Sequence, residues 1–304
     1  MYDTSHDITD RIKKLKKDMN AVILAHSYQR AEIQDLADFV GDSLGLCIEA
    51  SKTDAETIVF CGVHFMAESA KLLNPEKLVL LPEKFAGCPL ANMVSPQRLR
   101  KLKDEHPDAA VITYINSTAA VKAETDICCT SSNAVKVVNS VPEGREILFV
   151  PDKNLGRWVM EKTGRDMILW QGYCPTHHLV IPEHIEEMKK KHPGALVLVH
   201  PECSKEVADT ADFVGSTEQI VKYCTGSPAR SFIIGTEEGI LHRLKKFNPD
   251  KEFYLASEIM VCANMKLITL ESVLRSMERK ETVIELSPEL MEKAKRPIER
   301  MLAL

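Results

Sequence analysis

Ala21-Val22-Ile23-Leu24-Ala25-His26-Ser27-Tyr28, an apolar run that closes on polar residues, comes back twice along the chain. It returns as Ala110-Val111-Ile112-Thr113-Tyr114-Ile115-Asn116 and as Ala195-Leu196-Val197-Leu198-Val199-His200-Pro201-Glu202. Short runs rich in β-branched residues read as buried strands of a parallel sheet, with functional groups at their C-terminal ends. The copies stay in register beyond the strand. Asp38, Asp126 and Asp212 each stand 12 residues after His26, Tyr114 and His200, and open Asp-Phe-Val-Gly-Asp-Ser43, Asp-Ile-Cys-Cys-Thr-Ser131 and Asp-Phe-Val-Gly-Ser-Thr217. A fixed internal period of this kind marks a repeated structural unit.

Each copy continues in one order: an amphipathic helix, a strand (57–61, 146–150, 230–234), a second helix, and a third strand (77–81, 166–170, 251–255). Strands alternating with helices mean βαβ units and parallel sheets. After the third strand come Gly87-Cys88-Pro-Leu-Ala-Asn, Gly172-Tyr-Cys174-Pro-Thr-His177 and Met260-Val-Cys262-Ala-Asn-Met265. Their cysteines lie 62, 60 and 62 residues beyond His26, Tyr114 and His200. A closing helix follows each. Ser95-Pro96 and Pro182 start the first two, Pro107 and Pro193 lie beyond their ends, and the third spans about 269–279. An opening helix carries Ile8, Ile12, Leu15 and Met19 at helical spacing, and a last helix from Pro288 has no counterpart. The two terminal helices are expected to pack together on the first unit.

The fold class is therefore α/β: three αβα repeat domains with small parallel sheets, arranged around a pseudo-threefold axis. Divided near the three cysteines, the domains are 1–88 plus 263–304, 89–175 and 176–262. Ligands of parallel α/β sheets collect beyond the C-terminal strand ends, so three units about one axis aim their loops at one shared site. An open sheet with three separate sites is the rival arrangement, and it leaves each cysteine isolated.

Composition narrows the function classes. The 304 residues are 44% hydrophobic, enough to bury several cores. Charges, 39 basic against 44 acidic for a net -5, are interleaved, so no basic stripe suits nucleic acid. No stretch approaches the roughly 20 apolar residues of a membrane span, and the N-terminal segment lacks a signal-peptide core, which points to the cytoplasm. The nine cysteines form no CxxC pair, and a disulfide scaffold is not expected. A cysteine is ordinarily a small core residue, and Cys47, Cys61 and Cys224 fall in helix or strand patterns. Cys128 and Cys129 occupy a loop where the sister units have Val-Gly, so small-residue packing explains them; Cys203, beside Glu202, is the one with a competing functional reading.

Cys88, Cys174 and Cys262 are set apart by the repeat. Three thiolates meeting at one point suit a metal centre. Structural zinc normally takes a fourth protein ligand, whereas a [4Fe-4S] cluster on three cysteines keeps one iron open as a Lewis acid. The strand ends supply matched pairs, His26 with Tyr28, Tyr114 with Asn116, and His200 with Glu202. Residues two apart face the same way, which suits acid-base work and carboxylate binding. Ser43, Ser131, Ser216 and Thr217 lie near helix starts, where hydroxyls cap the helix and can hold phosphate or carboxylate. His177 is placed to bond a cluster sulfur or substrate, and His178 reads as a surface residue. Lys266 is a candidate to offset substrate charge. No P-loop, GxGxxG or GxSxG element is present.

His26-Ser-Tyr28, Gly41-Asp-Ser43, Gly87-Cys88-Pro-Leu-Ala, Tyr114-Ile-Asn116-Ser, Thr130-Ser131-Ser-Asn, Gly172-Tyr-Cys174-Pro-Thr-His177, His200-Pro-Glu202-Cys, Gly215-Ser216-Thr217 and Asn264-Met265-Lys266 resemble quinolinate synthase, the A-protein family of de novo NAD biosynthesis, over nearly the whole chain. The resemblance implies three αβα domains about a pseudo-threefold axis. It implies condensation of iminoaspartate with dihydroxyacetone phosphate to quinolinate, releasing phosphate and water. By that likeness Cys88, Cys174 and Cys262 hold a [4Fe-4S] cluster, and Tyr28, His26, Glu202 and His200 are catalytic. Substrate would be held by His26, Ser43, Tyr114, Asn116, Ser131, His177, His200, Glu202, Ser216, Thr217 and Lys266. Partners implied are the two substrates, cluster-assembly proteins, and at most transient contact with the enzyme supplying iminoaspartate. The CxxCxxC run of some members is missing, with Ala256 and Ile259 at its earlier places, so a disulfide cannot form there. Rival readings are another [4Fe-4S] hydro-lyase for a small hydroxy acid and a scaffold with a structural metal.

Overall fold

The computed structural model describes residues 4–304. Three four-stranded sheets carry the architecture, all parallel. The first holds β1 (Ala21–His26), β2 (Phe39–Gly41), β3 (Thr57–Cys61) and β4 (Leu78–Leu80). The second holds β5 (Ala110–Tyr114), β6 (Ile127–Cys129), β7 (Ile147–Val150) and β8 (Ile168–Leu169). The third holds β9 (Leu196–Val199), β10 (Phe213–Val214), β11 (Ser231–Gly235) and β12 (Glu252–Leu255). The orders β2-β1-β3-β4, β6-β5-β7-β8 and β10-β9-β11-β12 are one pattern written three times. The protein is thus α/β with three small parallel sheets flanked by helices, as the repeat predicts.

One strand per sheet escaped the sequence reading, which assigned three. The missed strands are the two- or three-residue edges β2, β6 and β10, each paired on one side only. Segments so short show no periodicity. Cys128 and Cys129 are therefore on strand β6 rather than in a loop, and both are buried. Asp38, Asp126 and Asp212 explain their fixed offset. Each carboxylate accepts the backbone N–H of a residue early in the central strand, Ile23 at 2.9 Å, Val111 at 2.8 Å and Val197 at 2.8 Å, tying the edge strand to its neighbour.

The central strands β1, β3, β5, β7, β9 and β11 are nearly all apolar and buried, because helices cover both faces of each sheet. Ser95 caps the helix Pro96–Glu105, and Thr269 caps Leu270–Arg279, with the N–H groups of Arg98 and Ser272 as donors. The opening helix Thr4–Asp18 packs on β1 and on Leu270–Arg279. The last helix, Pro288–Leu302, does not join it on the first unit. It lies against β6 and the helices Ala119–Lys122 and His64–Leu73, filling the junction between the first two units, where its buried Ala294, Pro297, Ile298 and Met301 find apolar cover. Among the described residues no helix is long and apolar enough to cross a membrane, and all nine cysteines are free thiols.

Candidate functional site

In each sheet the strand order reverses between the two central strands, and a ligand crevice forms where connections leave such a pair in opposite directions. The three crevices merge into one cavity, lined from all three units. His26, Tyr28, Ser43, Cys88, Tyr114, Asn116, Ser131, Cys174, His177, His200, Glu202, Thr217 and Cys262 all line it. Ser216 and Lys266 are not on the wall. Ser216 caps the helix Thr217–Gly226 and pairs with Ser132 Oγ at 2.7 Å, which in turn donates to Asp42 Oδ2 at 2.5 Å. The Lys266 ammonium stands behind the cavity, 2.9 Å from the buried Glu237 carboxylate and 2.8 Å from the Tyr28 carbonyl.

The matched pairs repeat even in their hydrogen bonds. Tyr28 N donates to His26 Nδ1 at 3.1 Å, and Glu202 N donates to His200 Nδ1 at 3.2 Å. An Nδ1 that accepts leaves the proton of the neutral ring on Nε2, so both rings present an N–H outward; that of His200 reaches Ser131 Oγ at 3.2 Å. Burial holds both imidazoles far below the usual range, His26 at about 4 and His200 at about 3, so both are neutral near pH 7. Tyr28 and Tyr114 are pushed upward, first by burial and then by the Glu202 charge, and keep their phenolic protons.

Glu202 is the electrostatic centre. Burial works to raise its carboxyl, but the imidazoles of His177 and His200 and hydrogen bonds from His177 and Tyr114 outweigh it, and it stays ionised. His177 Nδ1 lies 2.7 Å from Glu202 Oε2 and 3.2 Å from Cys174 Sγ. Asn116 lines the same space, and its Oδ1 is buried with no protein partner, a free acceptor on the wall.

Ser43, Ser131 and Thr217 are the same position of the repeat, and all three face the cavity. Ser43 and Thr217 occupy the first turns of the helices Ser43–Lys52 and Thr217–Gly226, whose caps are Asp42 and Ser216; Ser131 lies in the turn before Ala134–Ser140. Free backbone N–H groups and hydroxyls there suit anions. They carry weight because, among the described residues, no arginine or lysine lines the cavity.

Among the described residues, Cys174, His177 and Glu202 form the one group whose ligating atoms all lie within 4.8 Å of one another, close enough to hold a metal ion. Cys88, Cys174 and Cys262 are not such a group, though all three line the cavity. Burial pushes the Cys88 thiol up to about 12, with the neighbouring Cys262 and Glu202 charges adding to the effect; Cys174 and Cys262 are raised by burial too. Thiols that oppose one another's ionisation become thiolates together only around a cationic partner, so this donor set fits a metal centre. Cys203 is packed in the core of the third unit with its Sγ 3.5 Å from the Gly235 carbonyl, away from the cavity wall. His178 is half-buried beside the cavity, against the Tyr173 ring and Asn154.

Sequence reasoning followed the first strand of each unit and so missed the residues after β3, β7 and β11. Asp152 accepts from Cys174 N at 3.2 Å and Glu237 accepts from Cys262 N at 3.0 Å, so a buried carboxylate braces each of these two cysteine loops. The third arm is held differently, by Asn264 Nδ2 donating to the Gly87 carbonyl at 2.8 Å. Thr236, Thr130, Asp42 and the apolar Val63, Phe65 and Met66 were also passed over. The crevice rule applied to both central strands of each sheet would have found Thr236 and the two carboxylates.

The family model described as quinolinate synthetase A protein matches residues 10–303. Curated relatives named quinolinate synthase include that of Geotalea uraniireducens (strain Rf4), 55% identical over 298 residues and 98% of each chain. That of Geobacter sp. (strain M21) is 54% identical over 301 residues, 99% of each, and that of Methanosarcina barkeri (strain Fusaro) is 52% identical over 298 residues, 98% of each.

Proposed function

Because the chain belongs to the quinolinate synthetase A protein family, we propose that it condenses iminoaspartate with dihydroxyacetone phosphate in the shared cavity, releasing phosphate and water and forming quinolinate. The observation that carries this reading is that Cys88, Cys174 and Cys262 line one cavity together with the three matched polar pairs. Cys88, Cys174 and Cys262 would hold a [4Fe-4S] cluster. When bound, the cluster supplies a Lewis acid with one open iron position, suited to drawing off a hydroxyl in the dehydration.

The protein's own groups divide the remaining work. Ser43, Ser131 and Thr217, with the helix-start N–H groups, take the carboxylates and the phosphate without a cationic side chain. Ser216 fixes one of those helix starts. Tyr28, kept protonated by burial, donates to the departing phosphate, and neutral His26 beside it serves the ketose-aldose shift by presenting its Nε2–H to the substrate oxygen. Ionised Glu202, with His200 and His177, moves protons during ring closure, while Tyr114 and Asn116 orient the substrate. Lys266 acts at one remove, balancing Glu237 behind the Cys262 loop. The domain division 1–88 plus 263–304, 89–175 and 176–262 is part of the same proposal, as are the cytoplasmic location and passing contact with cluster-assembly proteins and the iminoaspartate supplier.

The test is direct. Protein purified without oxygen is expected to be brown, with about four irons per chain, and to form quinolinate from the two substrates. Fully iron-loaded protein that yields none defeats the assignment.

A further inference from the structure

The hydrogen bonds around Tyr28 include one residue that the repeat does not call for. Thr236 follows β11 and is fully buried. Equivalent backbone bonds, His64 N to the Ala86 carbonyl, Lys153 N to Gly172 and Glu238 N to Met260, place Gly62 and Pro151 at the corresponding points of the other units. Glycine and proline serve there, so the fold of the unit requires no hydroxyl. In the third unit that hydroxyl lies 2.6 Å from Tyr28 Oη and 2.8 Å from His177 Nε2.

The contacts continue at both ends. Thr217 Oγ1 donates to Tyr28 Oη at 3.0 Å, so the phenol accepts on one side and can donate on the other. Thr236 thus meets the imidazole at Nε2, while the same ring's Nδ1 lies 2.7 Å from the Glu202 carboxylate. One continuous hydrogen-bonded line results, through Thr217, Tyr28, Thr236, His177 and Glu202. It joins the side of the cavity assigned to phosphate release with the side assigned to ring closure.

We propose that Thr236 is a positioning residue whose hydroxyl fixes the Tyr28 phenol and the His177 imidazole in one shared orientation. The inference rests on the reading of the cavity as the site of quinolinate formation. Replacing the hydroxyl by a methyl group leaves two buried polar atoms without their common partner and lets each ring turn. Alignment of the reacting groups is then lost, while the hydroxyls and helix starts that bind substrate are untouched.

The experiment compares Thr236→Val and Thr236→Ser in iron-loaded protein prepared without oxygen, reading kcat, KM for dihydroxyacetone phosphate, iron content and melting midpoint. Thr236→Val is expected to lower kcat by about 10–100-fold with KM held within about twofold, at unchanged iron content. Thr236→Ser, which restores the hydroxyl, is expected to recover kcat to within about threefold of the parent. A valine variant with the parent kcat, a change confined to KM, or a serine variant as slow as the valine one overturns the proposal. If Thr236→Val does not fold, Thr236→Ala is judged by the same criteria. Failure of the unaltered protein to make quinolinate defeats the assigned reaction instead. The positioning claim is then decided by a crystal structure of the valine variant, where unmoved Tyr28 and His177 rings overturn it.

Discussion

Gly239→Ala tests how tightly the third unit grips the Tyr28 strand end. Gly239 precedes the helix Ile240–Phe247 with φ -58 and ψ -25, a conformation open to any residue, so only space is at stake. A Cβ there would stand 2.7 Å from Tyr28 C, 2.8 Å from its Cα and 2.8 Å from its O. Carbon atoms in contact normally keep about 3.5 Å apart, so one backbone or the other must retreat by roughly 0.8 Å. Neither is free to slide. Gln34 Nε2 clamps both, reaching the Gly239 carbonyl at 2.8 Å, Gln29 O at 2.9 Å and Ser27 O at 3.1 Å. Overpacking of this kind costs about 1–3 kcal/mol of stability. A catalytic group displaced by close to 1 Å loses about 100-fold in rate. The expected outcome is a modestly lower unfolding free energy by denaturant titration and a kcat reduced by about 10–100-fold, with iron per chain unchanged. Gly226→Ala is the control, since its Cβ meets nothing within 4 Å and the change is expected to be neutral or stabilising by up to about 1 kcal/mol. Parent-like activity and stability in Gly239→Ala would refute the steric argument, and a loss of iron in step with activity would show that the damage lies at the cysteines.

Other outcomes can be checked in the same preparations. Cys174→Ser is expected to lose most bound iron and the visible absorption, whereas Cys203→Ala, altered in a core away from the cavity wall, retains both; iron analysis decides. Glu202→Gln keeps its iron but places an amide against His177, 2.7 Å away, and kcat is expected to fall about 10²–10⁴-fold, measured as quinolinate formed per minute. Lys122 is fully buried, and burial lowers its ammonium from the ordinary 10.5. The folded state thus binds fewer protons there than the unfolded chain, and this residue's contribution to stability rises as pH climbs toward 10.5. Lys122→Met is expected to remove that rise, so the unfolding free energy of the parent minus that of the variant increases between neutral and alkaline pH; a pH-independent difference contradicts it.

The repeat was legible because its signals are local. Apolar runs at β1, β5 and β9, the Asp38, Asp126 and Asp212 offset, and the spacing to Cys88, Cys174 and Cys262 can each be read without knowing what packs where. The edge strands β2, β6 and β10 were not legible, because two or three residues carry no period and exist as strands only through a neighbour's hydrogen bonds. Thr236 and Glu237 were hidden for another reason. Their part is defined by Tyr28 and Lys266, 208 and 29 residues away in the chain, and no local pattern records such a pairing. Lys266 shows the converse: a lysine behind a cysteine motif suggests a substrate contact, and only the fold reveals Glu237 beside it.

By itself the sequence determined that one βαβ pattern is written three times, since strand and helix periodicity are properties of neighbours along the chain. Tertiary structure alone decided which side chains meet. Burial sets the protonation of His26, Tyr28 and His200, while the groups gathered around Glu202 keep it ionised against burial, and both effects belong to the packed assembly of three units. A carboxylate flanked by two imidazoles, a tyrosine kept neutral, and thiols that resist ionisation come into being only when strand ends far apart in sequence close around one cavity.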